Sequence, residues 1–261
     1  MTAMPGAEVI YTYCITEGEP IPAADGLHPS RLVYSLSYED LVAVVSRVPE
    51  EEFGDESLPA RLADAHWLEH EARAHERVIE KIMESRTVLP MRLCTIFRTG
   101  AKVRDLLRAR QHEFRRTLAR LRGKEEWEVR LYLVPSGAGS KPAETIASSG
   151  KEYLLKKRVE TLRAQEESCR IAREAQESFE ALAGCVAEVQ LKPPPPQNLS
   201  AGVQLVWDAV CLVLKSDLQA LRQRLDGLSN QLAGNGWRLQ LIGPWPPYHF
   251  AAEAHEHVSL P

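Results

Sequence analysis

Two histidines stand four residues apart in His66-Trp67-Leu68-Glu69-His70, a spacing that puts both imidazoles on one face of a helix, where they could grip a metal ion. The zinc-hydrolase arrangement needs a glutamate directly after the first histidine, and that position is Trp67, with Glu69 turned to another face. His75 lies five residues past His70, about 140° around a helix, so it does not complete a three-ligand set. The pair therefore reads as surface histidines on a solvated, charged helix, with a metal-dependent hydrolase centred on His66 and His70 as a rival. Cys94 could serve as a nucleophile, but no histidine lies near it in sequence, and between Leu93 and Thr95 in an apolar stretch it reads as a packing residue. No dinucleotide fingerprint, phosphate loop, nucleophile elbow or zinc-ribbon spacing occurs. No catalytic, cofactor-binding or metal-ligating residue is assigned.

A further cluster is the octapeptide Gly243-Pro244-Trp245-Pro246-Pro247-Tyr248-His249-Phe250. Its prolines fix φ and remove amide donors, while Trp245, Tyr248 and Phe250 supply large amphipathic surface. Two readings stand: a plug that packs back on its own domain, and a partner-binding anchor.

The elements that would carry these residues fall into two groups. Glu8 to Thr16, Arg31 to Leu36 and Asp40 to Val48 are rich in β-branched and aromatic residues and read as three strands, the last two a hairpin. Leu58 to Arg86 is charged and alanine-rich, with apolar residues at helical spacing, and Ala101 to Leu121 repeats the pattern up to the stop at Gly123. Val88 to Phe97 is too apolar for an ordinary exposed loop. The second group predicts a strand at Trp127 to Val134, a long helix from about Ala143 to Leu182 and a strand at Val186 to Leu191. After the tetraproline Pro193 to Pro196 come a strand over Val203 to Leu214, a helix over Asp217 to Leu232 and a strand at Trp237 to Ile242. This β-α-β-β-α-β order is ferredoxin-like, with both helices on one sheet face. The expected fold is α+β in two domains, residues 1–123 and 124–261. The long helix, with its stripe Leu155, Val159, Leu162, Cys169, Ala172, Phe179 and Leu182, would overhang such a sheet, as a spacer or as a docking surface including Arg163 and Arg170.

The 261 residues include 44% hydrophobic and 26% charged ones, which fits a folded, water-soluble protein and excludes a disordered chain. A net charge of -4 offers no basic field for nucleic acid. The five cysteines are widely spaced without a C-x-x-C pair, and read as buried thiols of a reducing cytosol. The N-terminal residues show no secretory pattern, and no apolar run reaches membrane-spanning length.

The terminal strand followed by the octapeptide resembles the C-terminal signature of the GvpL/GvpF gas vesicle family. Val88-Leu89-Pro90-Met91-Arg92, Tyr11-Thr12-Tyr13, His75 with Glu76, and Ser149-Gly150-Lys151-Glu152-Tyr153-Leu154 also look like family positions. One departure is Leu93-Cys94, where the family more often shows Phe-Gly, and Cys94 there implies a locally altered turn. The resemblance implies a non-enzymatic two-domain α+β protein without a cofactor, whose second domain is a modified ferredoxin-like fold. It also implies a place at the gas vesicle, in the cytoplasm, as a minor component or assembly factor that binds the shell protein GvpA and other accessory proteins. Neither nucleic acid nor a lipid membrane is expected as a partner. The residues expected to meet partners are Arg163, Arg170, Trp245, Tyr248 and Phe250. A ligand-sensing regulatory module on the ferredoxin-like domain is the alternative from another class.

Overall fold

A computed structural model describes residues 7–23, 26–134, 150–193 and 203–251. The described residues form two compact units: those up to Glu126 together with those from Pro244 on, and Trp127–Gly243.

The first unit opens with strands β1 (Glu8–Glu17), β2 (Val33–Tyr38) and β3 (Leu41–Pro49). Short helices α1 (Glu50–Phe53) and α2 (Leu58–Leu62) lead into α3 (Ala65–Met83). Strands β4 (Val88–Pro90) and β5 (Ile96–Phe97) precede helices α4 (Gly100–Ala109) and α5 (Gln111–Leu121). The sheet runs β2-β3-β1-β4, with β5 also pairing β1, and these pairings are antiparallel. Strand β1 is central and buried from Val9 to Thr16, which explains why it reads as a continuous apolar run. Ile10, Ile15, Ala43 and Val45 face Val103, Leu107, Phe114 and Leu118 of α4 and α5. Tyr11, Tyr13, Cys14 and Val44 face Val78, Ile79 and Ile82 of α3, together with Phe53. Helices thus cover both faces. A register shift between Thr12 and Cys14 is a β-bulge that puts Tyr13 and Cys14 into the same cluster, where strict alternation would separate them.

The single helix expected over Leu58 to Arg86 is two. Asp64 adopts an extended conformation, and its carboxylate accepts hydrogen bonds from the amides of His66 and Trp67, so it starts α3 afresh. The helix expected over Ala101 to Leu121 likewise breaks at Arg110, whose guanidinium pairs with Glu113 and lies 5.2 Å from the Phe114 ring centroid. The hairpin connection is Glu39-Asp40 in place of the expected Ser37 to Glu39, and Ser37 and Tyr38 belong to β2. Val88 to Phe97 is buried for most of its length and supplies β4 and β5. Cys94 holds φ at 58°, so the left-handed backbone that a glycine would serve is kept here by a cysteine. Cys94 donates its amide to the Tyr11 hydroxyl at 3.2 Å and packs in the α3-side cluster.

The second unit contains β6 (Lys124–Leu133), α6 (Gly150–Ala183), β7 (Glu188–Leu191), β8 (Gln204–Leu214), α7 (Leu218–Ala233) and β9 (Trp237–Trp245). Its sheet order, β7-β8-β6-β9, is that of the expected β-α-β-β-α-β arrangement. Both helices cover one face. Leu182 and Phe179 of α6, and Leu221 and Leu225 of α7, share a cluster with Trp127, Val129, Ala209, Cys211 and Val213. The expected helix start near Ala143 and the residues Pro194 to Pro196 lie outside the described residues. Cys14, Cys94 and Cys211 are buried, but Cys169 is exposed, so the reading of all five as buried thiols is corrected.

The second boundary also differs from the expected one. The expectation assigned 124–261 to one domain, whereas the residues from Pro244 on join the first unit, because Ala251 enters its core and Tyr248 packs in its α3-side cluster.

Candidate functional site

The first unit holds a buried polar network that the sequence did not announce. His75 on α3 donates from Nε2 to the Met91 carbonyl at 3.1 Å, which leaves Nδ1 to accept from the Tyr11 hydroxyl at 2.9 Å. The Tyr11 oxygen accepts in turn from the Cys94 amide. Beside this chain, Arg31 forms a two-pronged pair with Glu71 at 2.6 and 2.8 Å, the geometry in which guanidinium and carboxylate match best. The Glu71 side chain is 2% exposed, and the Arg31 guanidinium also lies 4.6 Å from the Phe53 ring centroid. The pair lines one wall of a cleft of about 900 Å³ shared with Trp67, His70, Tyr34 and Glu52. Trp67 donates its indole N–H to Glu52 at 2.8 Å.

Burial pushes His75 down to about 4, and His28 down to about 4 by burial and by the nearby charge of Arg31. Unfolded, each takes up a proton as pH falls through about 6.5; folded, neither does so until about 4. The unfolded chain therefore binds more protons in that interval. Stability contributed by the neutral histidines is fully present above pH 6.5 and is lost toward pH 4, by at most about 1.4 kcal/mol per pH unit for each. Glu76, raised by burial, works the opposite way from its own ordinary value upward. The measurement is urea unfolding between pH 4 and 7 on the protein and on His75→Gln, which is expected to show a shallower slope. An identical slope would refute the assignment.

His66 and His70 are both exposed on α3, while His75 is buried. Among the described residues no group of three or more His, Cys, Asp or Glu stands close enough to hold a metal ion. Replacing His66 and His70 together by alanine is expected to change stability by less than about 0.5 kcal/mol, as for other exposed positions, and purified protein is expected to carry no stoichiometric zinc. Zinc at one equivalent that the double variant loses would contradict this.

The octapeptide is divided. Gly243 to Trp245 continue β9, and Trp245 is 42% exposed. Tyr248 donates its hydroxyl to Glu76 at 2.8 Å, His249 donates its amide to Glu126 at 3.1 Å, and Phe250 is 2% exposed with Arg120 over its ring. Phe250 is thus a core residue of the first unit and Tyr248 a half-buried tether; neither is a free anchor. The plug reading fits these two residues, but the plugged unit is the first, and Trp245 is the exposed member.

On α6 the two expected contact residues also separate. Arg163 is exposed, but Arg170 is half-buried and bound within its own helix to Glu167 and to Glu174 at 2.9 Å. Glu174 also accepts from the Trp237 indole and from Asn235. Arg170 therefore belongs to the joint that seats α6 on its sheet.

Four of the segments that carried the family resemblance meet within the first unit, while Gly150 to Leu154 open α6 in the second. Tyr11, His75 and Met91 form one hydrogen-bond chain, and Glu76 receives the octapeptide through Tyr248; Ser149 lies outside the described residues. The model of the family described as gas vesicle synthesis protein GvpL/GvpF matches residues 9–252. The chain belongs to the GvpL/GvpF family. Its relatives include gas vesicle protein L of a Streptomyces species, 34% identical over 260 residues that make up 95% of this chain and 94% of the relative. Gas vesicle protein F1 of Halobacterium salinarum is 28% identical over 151 residues, 56% of this chain and 64% of that protein. Among solved structures, GvpF from an Anabaena species aligns with a TM-score of 0.69 at 21% identity, covering 97% of this chain and 99% of that one. GvpF from Microcystis aeruginosa aligns with a TM-score of 0.64 at 21% identity, covering 93% and 98%. The GvpL/GvpF fold is therefore shared along both units.

Sequence reading missed Arg31 and Glu71. Each looks like an ordinary charged residue, and their partnership spans 40 residues; the one available signal is that Glu71 follows the α3 stripe at a position where apolar residues recur.

Proposed function

We propose that this chain is a non-enzymatic accessory protein of gas vesicle formation, a minor component or assembly factor that binds the shell protein GvpA and other vesicle proteins. The observation that carries the reading is the family match across residues 9–252, supported by relatives named as gas vesicle proteins L and F. His75, a buried histidine of the first unit, is committed at both ring nitrogens to Tyr11 and Met91. A protein that works by covering apolar subunits before they assemble needs surfaces and no reacting centre. Association with the gas vesicle follows from the same reading. No described helix is long and apolar enough to cross a membrane.

The ligand-sensing alternative places its ligand on the ferredoxin-like unit, whereas the 900 Å³ cleft belongs to the first unit. The test is deletion of the gene in a gas-vesicle-forming host followed by complementation. Loss of floating cells, with rescue by the wild-type chain and by His75→Gln at permissive temperature, is the expected result. Undiminished vesicle yield after deletion would refute the role.

A further inference from the structure

Helix α6 has two apolar faces, and among the described residues one of them has no counterpart in the unit that carries it. Toward its C-terminal end, Ser178 and Leu182 are buried against the sheet, and the Trp207 indole donates to the Ala175 carbonyl at 3.2 Å. Leu155, Val159 and Leu162 recur at four- and three-residue steps, which keeps them in one line along a helix. At about 100° per residue that line stands about 180° around the helix from Leu182. It therefore cannot be the same stripe continued toward the N-terminus, as the sequence reading had it. These side chains are 58%, 45% and 50% exposed, which is unusual for three branched aliphatic residues in register.

The charges around the line decide what fits. Arg158 lies on one edge and Lys156 and Arg163 on the other, all exposed, while Glu160 projects about 140° away from Leu155. Glu166 closes the apolar line at its C-terminal end. Over Val159 and Leu162 the apolar line is one residue wide and basic on both sides, and it widens at its N-terminal end to Leu154 and Tyr153, 66% and 55% exposed. A lipid surface wants a broad apolar face; a single partner helix wants a seam of this width with opposite charges along its edges.

We propose that the outward face of α6 formed by Leu155, Val159 and Leu162, edged by Lys156, Arg158 and Arg163, docks an amphipathic helix of a partner protein that carries carboxylates along both sides of its apolar stripe. This deepens the accessory-protein reading and rests on it only for the owner of that helix.

The test uses the full chain and two synthetic helical peptides with leucine at the heptad core positions, one flanked by glutamates and one by lysines. Fluorescence anisotropy is expected to give the glutamate peptide at least about tenfold tighter binding at low salt, an advantage that shrinks at about 0.5 M salt as the charges are screened. The variant Leu155→Glu, Val159→Glu, Leu162→Glu is expected to lose that binding with an unchanged melting temperature, because the side chains it replaces are exposed. Equal binding of both peptides, or binding kept by the triple variant, would overturn the proposal. So would binding to anionic phospholipid vesicles without a peptide preference, or a dimer in sedimentation equilibrium that the triple variant abolishes. The peptide arm does not depend on vesicle formation, so its failure is separable from failure of the gene deletion test.

Discussion

Glu71→Ala is expected to lower the stability of the first unit by about 3–5 kcal/mol, the cost of leaving a buried guanidinium without its carboxylate. Glu71 is 2% exposed at its side chain, and Arg31 is 15% exposed, so water can replace little of what is lost. Arg31 is also confined between Glu71 and the Phe53 ring, which prevents an easy swing to solvent. The same principle predicts that the double variant Arg31→Met, Glu71→Leu recovers most of the loss, because the charges leave together and apolar atoms fill their volume. Urea unfolding followed by circular dichroism measures both. A single variant within about 1 kcal/mol of wild type would mean that the pair is solvated and has no structural role.

The second large effect concerns the C-terminal aromatic residues. Phe250→Ala is expected to cost about 3–5 kcal/mol, the usual range for a core phenylalanine truncated to alanine, and to act on the first unit. Trp245→Ala is expected to cost less than about 1 kcal/mol, since its side chain is largely at the surface. The sequence treats the two residues alike, as members of one aromatic octapeptide; their burial separates them. Thermal melts of both variants decide the matter, and a larger loss for Trp245→Ala would contradict the placement.

That separation shows where sequence reading stops. The β-α-β-β-α-β order was legible because Trp127 to Leu133 and Trp237 to Leu241 alternate, and because leucines recur along α7 at helical spacing. The hairpin and the central strand were legible from their β-branched content. What failed was anything that depends on which remote surface a segment meets. Tyr248 and Phe250 follow the last strand directly, yet they bury in the unit that begins the chain. The α6 stripe looked continuous from Leu155 to Leu182, because a list of apolar positions conceals a drift of half a turn. Arg31 with Glu71 was invisible for the same reason: two charges separated by 40 residues carry no local sign that they will share one buried site. The bulge at Tyr13 was equally hidden, since a strand buried on both faces shows no alternation to break.

The claim that this chain acts by binding vesicle proteins is tested most directly by co-expressing it, affinity-tagged, with GvpA and washing the captured complex at increasing salt. Co-purification of GvpA in a fixed ratio, retained by the exposed-histidine double variant, is the predicted result. A chain that purifies folded and alone at every salt concentration, with all GvpA in the unbound fraction, would contradict it.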